Sequence, residues 1–277
     1  MILRDKEGGI RVIWRLLLLV GPFLMAAFLL RYVPIRIQTR VLMNQRLSEA
    51  AAQSQARRMF LEDPVWASAI GIPQGLLWYV IVCVLIRSTE KRPCVLESVG
   101  LSPKGKRLVL VPLGFLLGLI MYFGYFAVGR AFGQPPFVRS PEKLAVLPLV
   151  LVSLDLLANG FGEEAAFRAY WQRLLVDRHG LWLGIALAST SFVLLHLLIA
   201  HFTVMALLAG ILVACLFGIL YVWTESIFLV GALHTTLNLG PRVLGPWPSD
   251  VSLLTVNGLA LVIAVVLYAR HAKAGRA

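Results

Sequence analysis

Gly160-Phe161-Gly162-Glu163-Glu164-Ala165-Ala166-Phe167-Arg168 places two adjacent carboxylates and a guanidinium in a chain that is apolar for long distances on either side. An ionisable side chain in a membrane-length segment costs a few kcal/mol or more, so by default it marks a functional site and needs a partner. Three of them within six positions decide where the reading starts.

The composition defines the solvent. Hydrophobic residues make up 59% of the 277 positions and charged residues 14%, and mean hydropathy is +0.81. Soluble domains carry about 45–50% apolar and about 25% charged residues. The chain therefore reads as all-α, a polytopic membrane helix bundle. The net charge of +12 lies between apolar runs rather than on one motif. That pattern suits loops at anionic lipid surfaces and argues against nucleic acid as a partner. Cys83, Cys94 and Cys215 are odd in number and form no CxxC pair, so they read as small buried hydrophobes rather than a disulfide framework or thiolate site.

Working outward, about eight transmembrane helices are expected. A basic N-terminal segment leads into a first span over 16–33, followed by a polar, partly helical loop at 34–64 with a surface helix near 40–59. Further spans cover 65–86, 108–128, 144 to about 177, 181–200, 204–223, 227–239 and 251–268. The fourth should continue past Arg168, since no proline follows Pro148, and its second half looks amphipathic and interfacial. The run 227–239 spans only about 20 Å at 1.5 Å per residue, short of a hydrocarbon core of about 30 Å. It is either a short helix inside the bundle or one lengthened by its neighbours. Lys/Arg placement favours both termini in the cytoplasm. The chain divides into N-terminal helices over 1–143, a core over 144–240, and a last helix with a basic tail over 241–277. No internal repeat is visible, which weighs against a transporter of duplicated halves.

The polar residues of the apolar segments are few: Asp155, Asn159, Glu163, Glu164, Arg168, His196, His201, Glu225, His234 and Asn238. Glu164 and Arg168 are i,i+4, so the arginine can neutralise that carboxylate on its own helix. Phe192/His196 and His234/Asn238 repeat the spacing, and Glu163 is turned about 100° from Glu164, free for a separate task. Singly, each has a plain structural reading: histidine or asparagine bonding between helices, a Glu–Arg clamp, an interfacial His201. Together, on three successive helices, they suit a water-activating hydrolytic site.

Glu163-Glu164-Ala165-Ala166-Phe167-Arg168, Phe192-Val193-Leu194-Leu195-His196 and His234-Thr235-Thr236-Leu237-Asn238 resemble the EExxxR, FxxxH and HxxxN motifs of the CPBP family. That family includes CAAX prenyl endopeptidases and bacteriocin-processing or self-immunity proteins. The resemblance covers about Leu144 to Leu239, and Ala169 stands where the family commonly has glycine. It implies an intramembrane endopeptidase, a multi-pass protein of a bacterial or archaeal cell membrane, acting on a membrane-bound protein or peptide, prenylated or leader-bearing. Glu163 would be the general base, helped by His196; His234 and Asn238 would stabilise the oxyanion, and Glu164 with Arg168 would support the site. Alternatively, Glu163, His196 and His234 would ligate Zn²⁺. The sequence leaves zinc or no cofactor open. The competing classes are a non-catalytic family member that works by partner binding, such as self-immunity, and an ion-coupled transporter with a proton relay. There is no HExxH or GxSxG. Gly160-Phe161-Gly162-Glu163 is similar to the GxGD of aspartyl proteases but has Glu for Asp.

Overall fold

The side chains of Ser48, Asp63 and Thr203 each cap the helix that follows them. The structure, a computed structural model, describes residues 12–91, 93, 96–101, 108–134, 146–197, 202–243 and 248–274. Among these, every regular element is helical. The α-helices are α1 (Val12–Ala27), α2 (Val33–Asn44), α3 (Glu49–Arg57), α4 (Pro64–Leu85), α5 (Leu110–Ala131), α6 (Val146–Glu164), α7 (Arg173–His179), α8 (Leu181–His196), α9 (Val204–Thr224), α10 (Ile227–Val243) and α11 (Asp250–Ala274). Six helical stretches among the described residues are long and apolar enough to cross a membrane. The bundle expected from composition is thus present, and six of the eight expected spans reach spanning length among the described residues. The 16-residue α8 and the 17-residue α10 are short for a spanning helix, which needs about 20 residues. Exposed Val80, Val84, Leu116, Ile120, Phe123, Leu259 and Val262 would be a liability in water and are suited to face lipid. The protein is an integral, multi-pass membrane protein.

The chain forms two compact units, Met1–Cys94 with Lys143–Gly162, and Val95–Glu142 with Glu163–Ala277. In the first unit the helix does not stop at Pro34. A π-helical segment, Phe28–Tyr32, precedes α2, and Pro34 occupies its first turn, where a missing N–H costs little. The helix therefore reaches Asn44, and the expected polar loop begins eleven residues later than its proline suggested. Ser48 caps α3 through the Ala51 N–H. The α2/α3 hairpin closes over Ile35, Leu42, Ala52 and Ala56, with Leu47 and Phe60 beside them. Asp63 then caps α4, its carboxylate accepting from Val65 and Trp66 N–H at 3.0 and 3.1 Å.

Small residues bring α4 against the first part of α6. A Cβ added at Gly71 would lie 1.9 Å from the Asp155 carboxylate, at Gly75 2.4 Å from the Ala158 carbonyl carbon, and at Gly162 2.4 Å from the Gly75 oxygen. Association of helices in lipid relies on such close backbone approach. Asn159 adds a bond from its amide to the Gly71 carbonyl at 3.0 Å and another to Asp155 Oδ1 at 2.7 Å, so Asp155 and Asn159 are tied into helix packing. Gly75→Ala should cost about 1–3 kcal/mol, the usual range for overpacking, since backbone rather than a flexible side chain stands in the way. A thermal melt in detergent measures it, and an unchanged melting temperature would contradict the packing. Cys83 is disulfide-bonded, against the expectation of a buried thiol, whereas Cys215 is free.

In the second unit, α9 and α11 run parallel. Their N-termini are joined by the Thr203 hydroxyl and the Asp250 carboxylate. Further along, Asn257 donates to the Ala209 carbonyl at 3.0 Å and accepts from the Tyr125 hydroxyl at 2.7 Å. At the far end the Trp223 and His271 rings lie 5.9 Å apart. Glycines again seat α5 on α10: a Cβ at Gly114 would meet the Leu229 oxygen at 2.3 Å, and one at Gly118 would meet Thr236 Cβ at 2.5 Å. Helix α10 thereby extends to Val243, longer than its apolar run, and its His234 is held at a fixed height.

Candidate active site

The EExxxR stretch sits at the end of α6 and continues as a π-helical segment, Ala165–Gln172, before α7. The helix does run on past Arg168, as the absence of proline predicts, up to His179. The first turns of its second half are enclosed by protein, while Asp177, Arg178 and His179 at its end are exposed. All eight residues of the π-helical segment are buried, with Arg168, Tyr170 and Glu164 at 0% exposure. π-helical turns inside α-helices frequently mark functional sites.

Glu164 is the anchor. Its Oε2 accepts from Arg168 Nε at 3.0 Å, and its Oε1 lies 2.8 Å from His234 Nδ1. A carboxylate paired with a guanidinium is an acceptor only, so His234 carries its proton on Nδ1 and donates it to Glu164. His196 is fixed in the same sense: its Nδ1 is 2.9 Å from the Phe192 carbonyl, which can only accept. Both rings therefore present Nε2 as the atom free to gain or give a proton.

Those two Nε2 atoms face Glu163. Its Oε2 is 4.0 Å from His196 Nε2 and 3.7 Å from His234 Nε2. Both separations exceed a direct hydrogen bond, and a polar gap beyond 3.5 Å is the usual place for a bridging water. The Glu163 side chain is 18% exposed and that of His196 30%, against 0% for Glu164. The two carboxylates are thus divided between an open and a sealed position. Phe192 packs the centre: its ring stands 4.5 Å from His196 and 6.1 Å from His234, with the Arg168 guanidinium 5.3 Å from its centroid.

Asn238, one turn after His234, lies with it on a cavity of about 390 Å³. Phe192, Phe217, Gly210 and Ala206 supply much of the apolar lining. Glu163 and His196 are not on that wall, so the cavity meets the site from the His234/Asn238 side. Glu163, Glu164, Arg168, His196 and His234 come together as the motifs suggest, and Asn238 joins them through the cavity. His201 lies outside the described residues. Gln172, outside the three motifs, is also enclosed at 1% exposure, and its one signal in the sequence is its place four residues after Arg168.

Zinc ligands at 2.0–2.1 Å in a tetrahedron stand about 3.3 Å apart. The spacings of 3.7 and 4.0 Å from Glu163 are wider, and among the described residues no set of three His, Cys, Asp or Glu side chains is arranged to hold a metal. As it stands, the donor set does not fit zinc.

Fold and site together define a helical membrane protein in which a sealed and an open carboxylate share one site with two imidazoles. Residues 145–240 match the family model described as Type II CAAX prenyl endopeptidase Rce1-like. This match, over about a third of the chain, supports a likeness to the CPBP/CAAX protease family. No curated protein matches the chain.

Proposed function

We propose that the protein hydrolyses a peptide bond of a membrane-associated substrate, prenylated or leader-bearing, with a water activated by Glu163 in a bacterial or archaeal cell membrane. The observation that supports this reading is the gap of 3.7 and 4.0 Å between Glu163 Oε2 and the two Nε2 atoms. A water in that gap donates one proton to the carboxylate and the other to an imidazole, and keeps its lone pairs for attack. Glu163 takes the proton as the oxygen adds to the scissile carbonyl.

The oxyanion that forms is met from the cavity wall. His234 in its protonated form donates from Nε2, and Asn238 donates from its amide. Donors aimed at developing charge in a dry site are often the largest catalytic contribution. Glu164 supports the imidazolium through Nδ1, the part a buried carboxylate plays in a catalytic triad. Glu163 then returns its proton to the leaving amine, so water and peptide become a carboxyl and an amine group.

The test compares membrane proteomes of cells expressing the wild type or Glu163→Gln, with purified protein in proteoliposomes alongside. Uncleaved precursors should accumulate only in the variant, and cleavage of a farnesylated C-terminal reporter peptide should survive a chelator. Matching proteomes would sink the proteolytic reading, and loss of cleavage with chelator would move the activation of water to a metal.

A further inference from the structure

We infer that Gln172, outside the three motifs, is a positioning residue for the reaction, acting through Arg168 and Glu164 on the tautomer of His234. The inference rests on the proposed hydrolysis for its kinetic arm only.

Gln172 is fully enclosed, and its amide has one possible orientation. Its Nε2 is 3.0 Å from the Gly218 carbonyl of α9, and its Oε1 is 3.5 Å from Arg168 Nη1. Turned over, the amide would point N–H at guanidinium and oxygen at carbonyl, so both contacts would become repulsive. The backbone of α9 therefore decides that Gln172 offers an acceptor to Arg168. Gly218 leaves the room for this: a Cβ there would lie 2.7 Å from Gln172 Oε1.

Arg168 depends on that acceptor. Among the described residues its Nε is held by Glu164, its Nη1 by Gln172, and its Nη2 has no hydrogen-bond partner. Residues 164, 168 and 172 thus form an i,i+4,i+8 ladder from the reacting histidine to a rigid helix. At its foot is Gly218 C=O; at its head Glu164 takes the Nδ1 proton of His234 at 2.8 Å. Without Gln172 the guanidinium is free to swing, and Glu164 no longer has a fixed lone pair for Nδ1. His234 then samples the tautomer with its proton on Nε2 and a bare Nδ1, which loses the Glu164 hydrogen bond that supports the imidazolium meeting the oxyanion. The wild-type ladder excludes that state.

Gln172→Met keeps the volume and removes the amide, and Gly218→Ala pushes the amide away from the other side. Each should lower kcat on the reporter peptide about tenfold with KM within twofold. The double variant should be no worse than the more damaging single one, as residues acting through one link are non-additive. A readout independent of cleavage is ¹⁵N-histidine NMR in bilayers, with His234 assigned by its loss in His234→Asn. Wild type should show one Nδ1–H tautomer, and Gln172→Met a mixture. A folded Gln172→Met with wild-type kcat and an unchanged His234 signature overturns the inference while leaving the hydrolysis standing. A tautomer mixture in Gln172→Met, with no cleavage by the wild type, keeps the inference and overturns the reaction.

Discussion

Glu163→Gln should lower kcat by about 10²–10⁴, the range contributed by a positioned general base, with KM nearly unchanged. The amide has the size and shape of the carboxyl, so the water still has a neighbour on that side and the substrate cavity is untouched. What disappears is the group that can take a proton. His196 and His234, whose Nδ1 protons go to the Phe192 carbonyl and to Glu164, keep a bare Nε2 and account for the activity that remains. Stability should hold to within about 0.5 kcal/mol, as for most substitutions that leave no buried group unpaired, because Glu163 makes no direct hydrogen bond to either imidazole. Glu163→Asp should retain more activity than Gln but far less than wild type, as the shorter side chain keeps the charge and loses the reach. Steady-state cleavage of the farnesylated reporter, alongside a melt on the same sample, separates these effects. A kcat within tenfold of wild type in Glu163→Gln would remove Glu163 from the role of base.

The site was legible because its chemistry is written in short spacings. Glu164 and Arg168 are i,i+4 neighbours on almost any helix, and Phe192/His196 needs only one helical turn to bring the ring against the imidazole. What spacing could not supply was depth. The arginine-containing stretch after Glu164 reads as amphipathic, and Tyr170 and Trp171 look like interfacial aromatics. Yet Tyr170 is 0% and Trp171 3% exposed, and Trp171 instead donates to Ser191 on α8 at 2.9 Å. A π-helical segment shifts which residues face inward, and no single-sequence pattern announces it. Pro34 reads as a helix stop for a related reason, while the π-helical turn before it makes the proline part of the first turn of a new segment. Two of the Gly-x-x-x-Gly pairs, Gly71/Gly75 and Gly114/Gly118, explain helix contacts that hydropathy could not. The count of eight turns on the short α8 and α10, because apolarity alone does not tell a spanning helix from a short one.

Arg168→Leu should be the most destabilising single change at the site. Arg168 and Glu164 are both fully buried, 3.0 Å apart, and removing one partner of such a pair typically costs about 3–5 kcal/mol because the remaining charge is stranded. Against a typical total of about 5–15 kcal/mol, that is enough to lower the melting temperature by on the order of 10 °C and to reduce the folded yield. The second half of the argument comes from Glu164→Gln/Arg168→Leu. Replacing both charges removes the stranded carboxylate, and a buried ion pair exchanged for neutral groups is often neutral or stabilising. Most of the lost stability should therefore return. Activity should not, since an amide at position 164 cannot stabilise a protonated His234 through Nδ1 as a carboxylate does. Melts of the single and double variants, paired with kcat on the reporter, decide between the two roles. A double variant that regained both fold and turnover would make Glu164 and Arg168 a clamp alone. Recovery of the fold without turnover would assign the buried pair to the chemistry, since nothing in the stability of the bundle would then require its charge.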